Sequence, residues 1–323
     1  MKRLRNLAAA ALLSAFVSLN ILAFMQGRAM TRFAESGERT GRPEELDAFD
    51  KIGVMLSGVH LVRHANQRTP ADLQLSFTTH RFGNPGGLTL EAWHVAGNDD
   101  RPLVLLFHGY AANKSTVLNE ASVFHHLGYG TFLVDFYGSG GSSGSGTTIG
   151  VLEAGDVAAA VDYVRRKWPK RKVVLYGISM GGAAVLRAVA VNGVQPDAVI
   201  IEATFDTLLN TGRNRFESMG LPGSPFAELL LFWGSVQNGF NFFTHNPVDY
   251  ASLVGCPALV LHGELDQRVA LEQARRIAAA MGGRARLVAY AGVPHIPIVD
   301  AQADAWRRDV EKFLAQLHSS PPS

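Results

Sequence analysis

Val173-Val174-Leu175-Tyr176 runs directly into Gly177-Ile178-Ser179-Met180-Gly181, and Gly182-Ala183-Ala184-Val185-Leu186 follows with the character of a helix. An apolar strand thus ends in a Gly-x-Ser-x-Gly turn that opens a helix. A serine at so sharp a turn projects its hydroxyl clear of the backbone. The flanking glycines remove side chains that would collide where strand and helix approach. The five-letter pattern alone carries little, because Gly140-Gly141-Ser142-Ser143-Gly144 matches it too. That second match lies in a Gly/Ser run with no helix behind it and reads as a loop. The plain alternative for Ser179 is an ordinary turn serine; the strand before it and the helix after it favour a nucleophile.

Working outward, Leu103–Phe107, Thr131–Val134, Val199–Ile201, Ala258–Leu261 and Leu287–Tyr290 are further short apolar runs, the pattern of strands buried on both faces. Glu153–Trp168, Leu271–Met281 and Ala303–Leu317 alternate with them at helical spacing. Such alternation predicts a mostly parallel sheet with helices on both faces. Upstream, Leu73–Phe77 and Leu88–Trp93 alternate apolar and polar residues around a Gly83–Gly87 turn, which predicts an antiparallel pair at the sheet edge and eight strands in all. More than fifty residues separate Ile201 from Ala258 and carry Phe205, Phe216, Phe226, Phe232, Trp233 and Phe240. We read residues 206–257 as a small helical cap insertion, with an oligomer contact as the alternative.

A serine hydroxyl needs a base, and the base needs an acid to orient it. On a doubly wound sheet these groups lie beyond the carboxyl ends of the strands. After Ala258–Leu261 comes His262-Gly263-Glu264-Leu265-Asp266, and after Leu287–Tyr290 comes Ala291-Gly292-Val293-Pro294-His295. The candidate catalytic residues are therefore Ser179, Asp266 and His295, in the serine–acid–histidine order of the strand-elbow class. Glu264 and Asp206 are rival acids. The oxyanion of a tetrahedral intermediate needs two N–H donors. Met180 opens the elbow helix and supplies one. Tyr110, in the His108-Gly109-Tyr110 loop after Leu103–Phe107, supplies the other, while His108 shapes that loop.

These segments, together with Asp135-Phe136-Tyr137-Gly138-Ser139-Gly140-Gly141-Ser142, resemble the α/β-hydrolase superfamily over roughly residues 72–318. Residues 135–142 are similar to the Asp-x-Arg-Gly-x-Gly-x-Ser loop of its serine aminopeptidase-like and monoglyceride-lipase-like branch, with Tyr137 where the arginine would stand. The resemblance implies a serine hydrolase of the EC 3.1.1 class, an esterase or lipase-like enzyme on an apolar acyl substrate. A serine aminopeptidase-like peptidase or a thioesterase is the alternative. A catalytically silent membrane-tethered binding protein is the non-enzyme reading.

The chain has 323 residues, 47% hydrophobic, with a formal net charge of +2. No basic run marks nucleic acid as a partner. Cys256 stands alone, so no intramolecular disulfide forms, and there is no His-Glu-x-x-His; no cofactor or metal is expected. Residues 1–30 read as a membrane anchor or a signal: Lys2, Arg3 and Arg5 precede Leu7–Met25, an uncharged run long enough to cross a bilayer. The lead reading is one retained span with an extracytoplasmic catalytic domain; secretion after signal cleavage is the alternative. Residues 31–71 read as a stalk followed by a helix opening at Pro43-Glu44-Glu45, and residues 72–318 as the hydrolase domain.

Overall fold

The computed structural model describes residues 1–38, 40–41, 46–63 and 65–318. The helix start expected at Pro43-Glu44-Glu45 lies outside them. The described residues divide into two compact units, Met1–Val62 with Leu208–His245, and Arg63–Thr207 with Asn246–Ser323.

In the first unit, α1 spans Lys2–Thr31, α2 Ala48–Ser57, α6 Leu208–Ser218 and α7 Phe226–Asn238. The Asp47 side chain caps α2 by accepting from the Asp50 N–H. Arg213 on α6 pairs with Glu228 on α7 at 2.5 Å, and Phe216 packs on Phe226.

The second unit holds β1 Phe77–Gly83, β2 Thr89–Val95, β3 Leu103–Phe107, α3 Leu118–His126, β4 Gly130–Val134, α4 Glu153–Lys167, β5 Val173–Ile178, α5 Met180–Asn192 and β6 Ala198–Glu202. It continues with α8 Pro247–Ala251, β7 Ala258–Gly263, α9 Leu271–Met281, β8 Ala285–Tyr290 and α10 Ile298–His318. The strands form one eight-stranded sheet in the order β1-β2-β4-β3-β5-β6-β7-β8. β1 and β2 pair antiparallel and β2 meets β4 antiparallel; every other pairing is parallel.

The apolar runs form the interior strands because side chains on both faces find helices to pack on. From β3, Leu103, Leu105 and Phe107 join Val157 and Val161 of α4, Leu186 of α5 and Ile277 of α9. Val104 and Leu106 face the other way, among Phe124 of α3 and Trp306 and Val310 of α10. Tyr250 and Ala251 of α8 also pack into the first of these cores, so the end of the long insertion joins the sheet unit.

One local expectation fails. Pro70–Leu73 is a 3₁₀ turn and the first strand begins only at Phe77. Thr69 and Asp72 form a reciprocal capping box, with Pro70 at the first position. Gln74, at φ 60°, then ends the turn. These local bonds outweigh the alternation of Leu73–Phe77.

Candidate active site

Ser179 follows the last residue of β5, and its backbone sits at φ 52°, ψ −113°. A non-glycine residue there stores about 1–3 kcal/mol of strain, which the surroundings must hold. The glycines show how. A methyl group on Gly177 would lie 2.5 Å from the Gly181 carbonyl carbon, and one on Gly181 would lie 2.3 Å from the Phe107 carbonyl oxygen. One on Gly182 would lie 2.0 Å from the Thr204 hydroxyl. Only glycine lets α5 begin this close to the ends of β3 and β5. The Ser179 N–H donates to the Glu202 carbonyl at 2.7 Å, tying the turn to the end of β6.

The neighbouring loop after β3 comes alongside. A methyl group on Gly109 would lie 3.8 Å from the Ser179 Cβ. His108 is fully buried and shapes this loop: Nδ1 bonds the Gly109 carbonyl at 2.8 Å and Nε2 accepts from the Phe136 N–H at 3.2 Å. Burial, only partly offset by Asp135, lowers its pKa and keeps the ring neutral. Tyr110 is the next residue of this loop. Met180 is the first residue of α5, where helical geometry supplies no intrahelical partner for the N–H.

Asp266 and His295 are brought together. Asp266 Oδ2 bonds His295 Nδ1 at 2.6 Å. Oδ1 accepts from the N–H groups of Arg268 and Val269, each at 2.9 Å. Beneath, buried His262 gives its Nε2 to the Val269 carbonyl at 2.8 Å and lies 3.9 Å from Asp266 Oδ2. Burial lowers the His262 pKa against the opposing pull of Asp266. The acid and histidine loops are stitched by their backbones: the Glu264 N–H meets the Tyr290 carbonyl at 2.9 Å, and the Leu265 N–H meets the Val293 carbonyl at 3.0 Å. Gly263 makes that approach possible, since a methyl group there would lie 2.3 Å from the Val293 oxygen. Among the described residues, no hydrogen bond joins Ser179 to His295.

The rival acids lie elsewhere in this arrangement. The Glu264 side chain is exposed. Asp206 pairs with Arg276 at 2.9 Å and accepts from the Thr207 N–H at 2.7 Å.

Three residues escaped the sequence reading. Glu202 is fully buried, and its carboxylate accepts from the Ile298 N–H at 2.7 Å, the Tyr176 hydroxyl at 2.8 Å and Trp306 Nε1 at 3.0 Å. Burial raises its pKa, with those three donors opposing. Lys114 is buried between Asp135 and Glu91, its ammonium 2.9 Å from Glu91 and 4.2 Å from the centre of the Trp93 ring. For Glu91, burial acts upward, but hydrogen bonds from Lys114 and Arg81 outweigh it and lower the pKa. Arg63 donates to the carbonyls of Gly140, Ser142 and Gly144, so a guanidinium from outside the loop holds the segment that follows Tyr137. Ser142 of the second Gly-x-Ser-x-Gly match is buried and gives its hydroxyl to the Asp135 carbonyl at 2.7 Å, a structural loop bond.

Residues 98–212 match the family described as Serine aminopeptidase, S33. The chain is similar to the Bacillus subtilis protein YqkD, at 23% identity over 290 residues that cover 83% of this chain and 94% of that one. It is also similar to the lysophosphatidylserine lipase ABHD12 of Danio rerio, at 23% identity over 249 residues, 69% of this chain and 64% of that one. Among solved structures, the Pyrococcus furiosus esterase Pf2001 superposes with a TM-score of 0.66 at 21% identity, over 79% of this chain and 96% of that one. With the sheet order and the strand-end turn described above, these likenesses show that the chain has the α/β-hydrolase fold.

Proposed function

We propose that the chain is a serine esterase of the lipase-like kind, transferring an acyl group first to Ser179 and then to water. The observation that carries this reading is the 2.6 Å bond between Asp266 and His295, which follow β7 and β8 as Ser179 follows β5, all three past the carboxyl ends of parallel strands. With Nδ1–H committed to Asp266, His295 Nε2 keeps a lone pair. It takes the Ser179 proton as Oγ bonds the carbonyl carbon, and the carbonyl π electrons move onto oxygen. The N–H groups of Met180 and Tyr110 hold that oxyanion. Collapse expels the alcohol, which leaves with the proton from His295. Water then adds to the acyl-enzyme by the same route, releasing the acid and restoring Ser179.

An ester with an apolar acyl chain is supported by the likeness to an esterase and to a lysophosphatidylserine lipase. The match to a serine aminopeptidase family favours a second reading, peptide cleavage. The helix α1, 30 residues long, apolar along Leu7–Met25 and exposed over residues 2–18, serves in this proposal as a membrane anchor.

The test is Ser179→Ala, assayed beside the unaltered chain on nitrophenyl esters, acyl-thioesters and aminoacyl amides. Loss of about three to six decades on esters is expected, with an unchanged melting temperature and no labelling by a fluorophosphonate. Hydrolysis near the unaltered rate would sink the assignment, and greater rates on aminoacyl amides would replace esterase by peptidase.

A further inference from the structure

In the first unit, α1 is not a bare tail: its C-terminal half is clad by two other helices. Gly27 and Gly234 let the backbones of α1 and α7 approach so closely that a methyl group on Gly27 would lie 3.1 Å from the Gly234 nitrogen. Trp233 Nε1 donates to Asn20 Oδ1 at 3.1 Å, Gln237 donates to the Phe24 carbonyl at 2.7 Å, and Phe24 meets the Trp233 ring edge-on at 5.5 Å. On the α2 side, Gln26 Nε2 donates to the carbonyls of Val54 and Met55 at 2.6 and 2.9 Å. Asn20 and Gln26 are polar side chains in or beside the apolar run Leu7–Met25. An unpaired amide in hydrocarbon is costly, and these two are paired by α7 and α2.

The same two helices leave apolar side chains uncovered. On α2, Phe49, Ile52 and Leu56 are 85%, 55% and 60% exposed. Their i, i+3, i+7 spacing puts them on one face. On α7, Phe232 and Val236 are 49% and 57% exposed, one turn apart. These uncovered side chains belong to helices bonded directly to α1, whose residues 2–18 are exposed.

Resting on the reading of α1 as a membrane span, we propose that α2 and α7 dock on the lipid bilayer, with Phe49, Ile52, Leu56, Phe232 and Val236 inserted among the acyl chains. The depths agree. Asn20, where Trp233 binds, lies five residues inside the end of the apolar run, or about 8 Å at the helical rise. Amphipathic interfacial helices bury their apolar face about 5–10 Å into the headgroup and acyl boundary, where tryptophan is enriched. Arg28 and Arg32, exposed just beyond the run, sit at the level of the headgroups. Because α7 takes part of its packing from residues 20–27, the proposal also requires that α1 stay attached to the folded protein.

The test uses the full chain, with Cys256 replaced by serine, in phosphatidylcholine–phosphatidylglycerol vesicles. Single cysteines at positions 49, 52, 56, 232 and 236 carry an environment-sensitive dye, with position 12 as a marker of α1 and exposed Leu253 as the aqueous control. The five docking positions should be quenched several-fold more by lipids with a nitroxide high on the acyl chain than by aqueous iodide. Position 253 should show the reverse, and the intact mass of membrane-extracted protein should include residues 20–27. Iodide quenching of the five with lipid quenching at position 12 would overturn the docking surface and leave the anchor standing. Iodide quenching at position 12 as well would overturn the membrane span and the proposal with it. A mature chain beginning beyond residue 27 would also overturn the proposal.

Discussion

Replacing Asp266 with asparagine isolates one proton. The side chain keeps its shape, and its remaining oxygen can still accept from the Arg268 and Val269 N–H groups, each at 2.9 Å in the native site. The stability cost should therefore stay below about 1 kcal/mol. What changes is the atom facing His295 Nδ1, 2.6 Å away: a carboxylate oxygen becomes an amide nitrogen with hydrogens. Nδ1 must then accept, the ring proton moves to Nε2, and the lone pair that should take the Ser179 proton is lost. Restoring the productive tautomer forfeits a charge-assisted bond of about 1.5–3 kcal/mol and leaves two donors facing each other, at about 1–3 kcal/mol more. The sum is about 2.5–6 kcal/mol, or about two to four decades in kcat/KM at 1.36 kcal/mol per decade. The same exchange in a serine protease costs about four decades. Activity on a nitrophenyl ester and the melting temperature should be measured for Asp266→Asn, Glu264→Gln and Asp206→Asn together. Glu264 is exposed, and Asp206 pairs with a half-exposed arginine, so those two should change little. The reasoning fails if Asp266→Asn keeps more than about a tenth of the activity, a loss under 1.4 kcal/mol, or if a rival variant loses more.

Two further outcomes bear on stability. Burial pushes the Asp156 carboxyl up to about 7 from an ordinary 3.8, against hydrogen bonds from the Tyr137 N–H and Asn84, so the fold binds an extra proton between those pH values and loses stability as pH rises through them. From pH 6 to pH 8 the loss integrates to about 1 kcal/mol, a few degrees of Tm, and Asp156→Asn should flatten the slope; a melting temperature that rises over that range contradicts the assignment. Lys114→Met would leave the buried carboxylate of Asp135, and that of Glu91, without their shared cation, at about 3–5 kcal/mol in urea denaturation, and a loss under about 1 kcal/mol would show that the cluster relaxes.

Much of the sheet was legible because its strands are local objects. Leu103–Phe107 and Ala258–Leu261 are unbroken apolar runs, and a run of that kind between turn residues has few other uses. The candidate serine, acid and histidine can be placed from the sequence for the same reason, each lying just past a strand end. Glu264 and Asp266 are harder to tell apart in the sequence, because only Leu265 lies between them on one loop. What distinguishes their surroundings is the stitching of that loop to Tyr290 and Val293, more than twenty residues away. Helix α3 was missed because Glu120, a charged residue type, occupies a fully buried position in its first turn and breaks the apolar periodicity. Arg63 was illegible in a different way. The loop at 135–142 has Tyr137 where the resembled pattern has arginine, and no local pattern says that a guanidinium from more than seventy residues upstream reaches its carbonyls.

Glu202 gathers these strands of argument. Its carbonyl holds the Ser179 N–H, and its carboxylate holds the Ile298 N–H three residues after His295, so one residue fixes the backbones on both sides of the proposed proton transfer. Three donors converge on that carboxylate, which is the environment of an ionised acceptor even though burial raises its pKa. Nearby Glu120 is fully buried, and among the described residues no hydrogen bond reaches either of its oxygens. Burial first, and the charge of Glu202 next, raise its pKa well above the ordinary carboxylate range. Burial raises the pKa of both acids; at Glu202 the Ile298, Tyr176 and Trp306 donors oppose that rise, whereas Glu120 has no such donor among the described residues. Glu202 thus ties the backbone at Ser179 to the backbone at Ile298, so one buried residue bridges the two segments that carry the candidate serine and histidine.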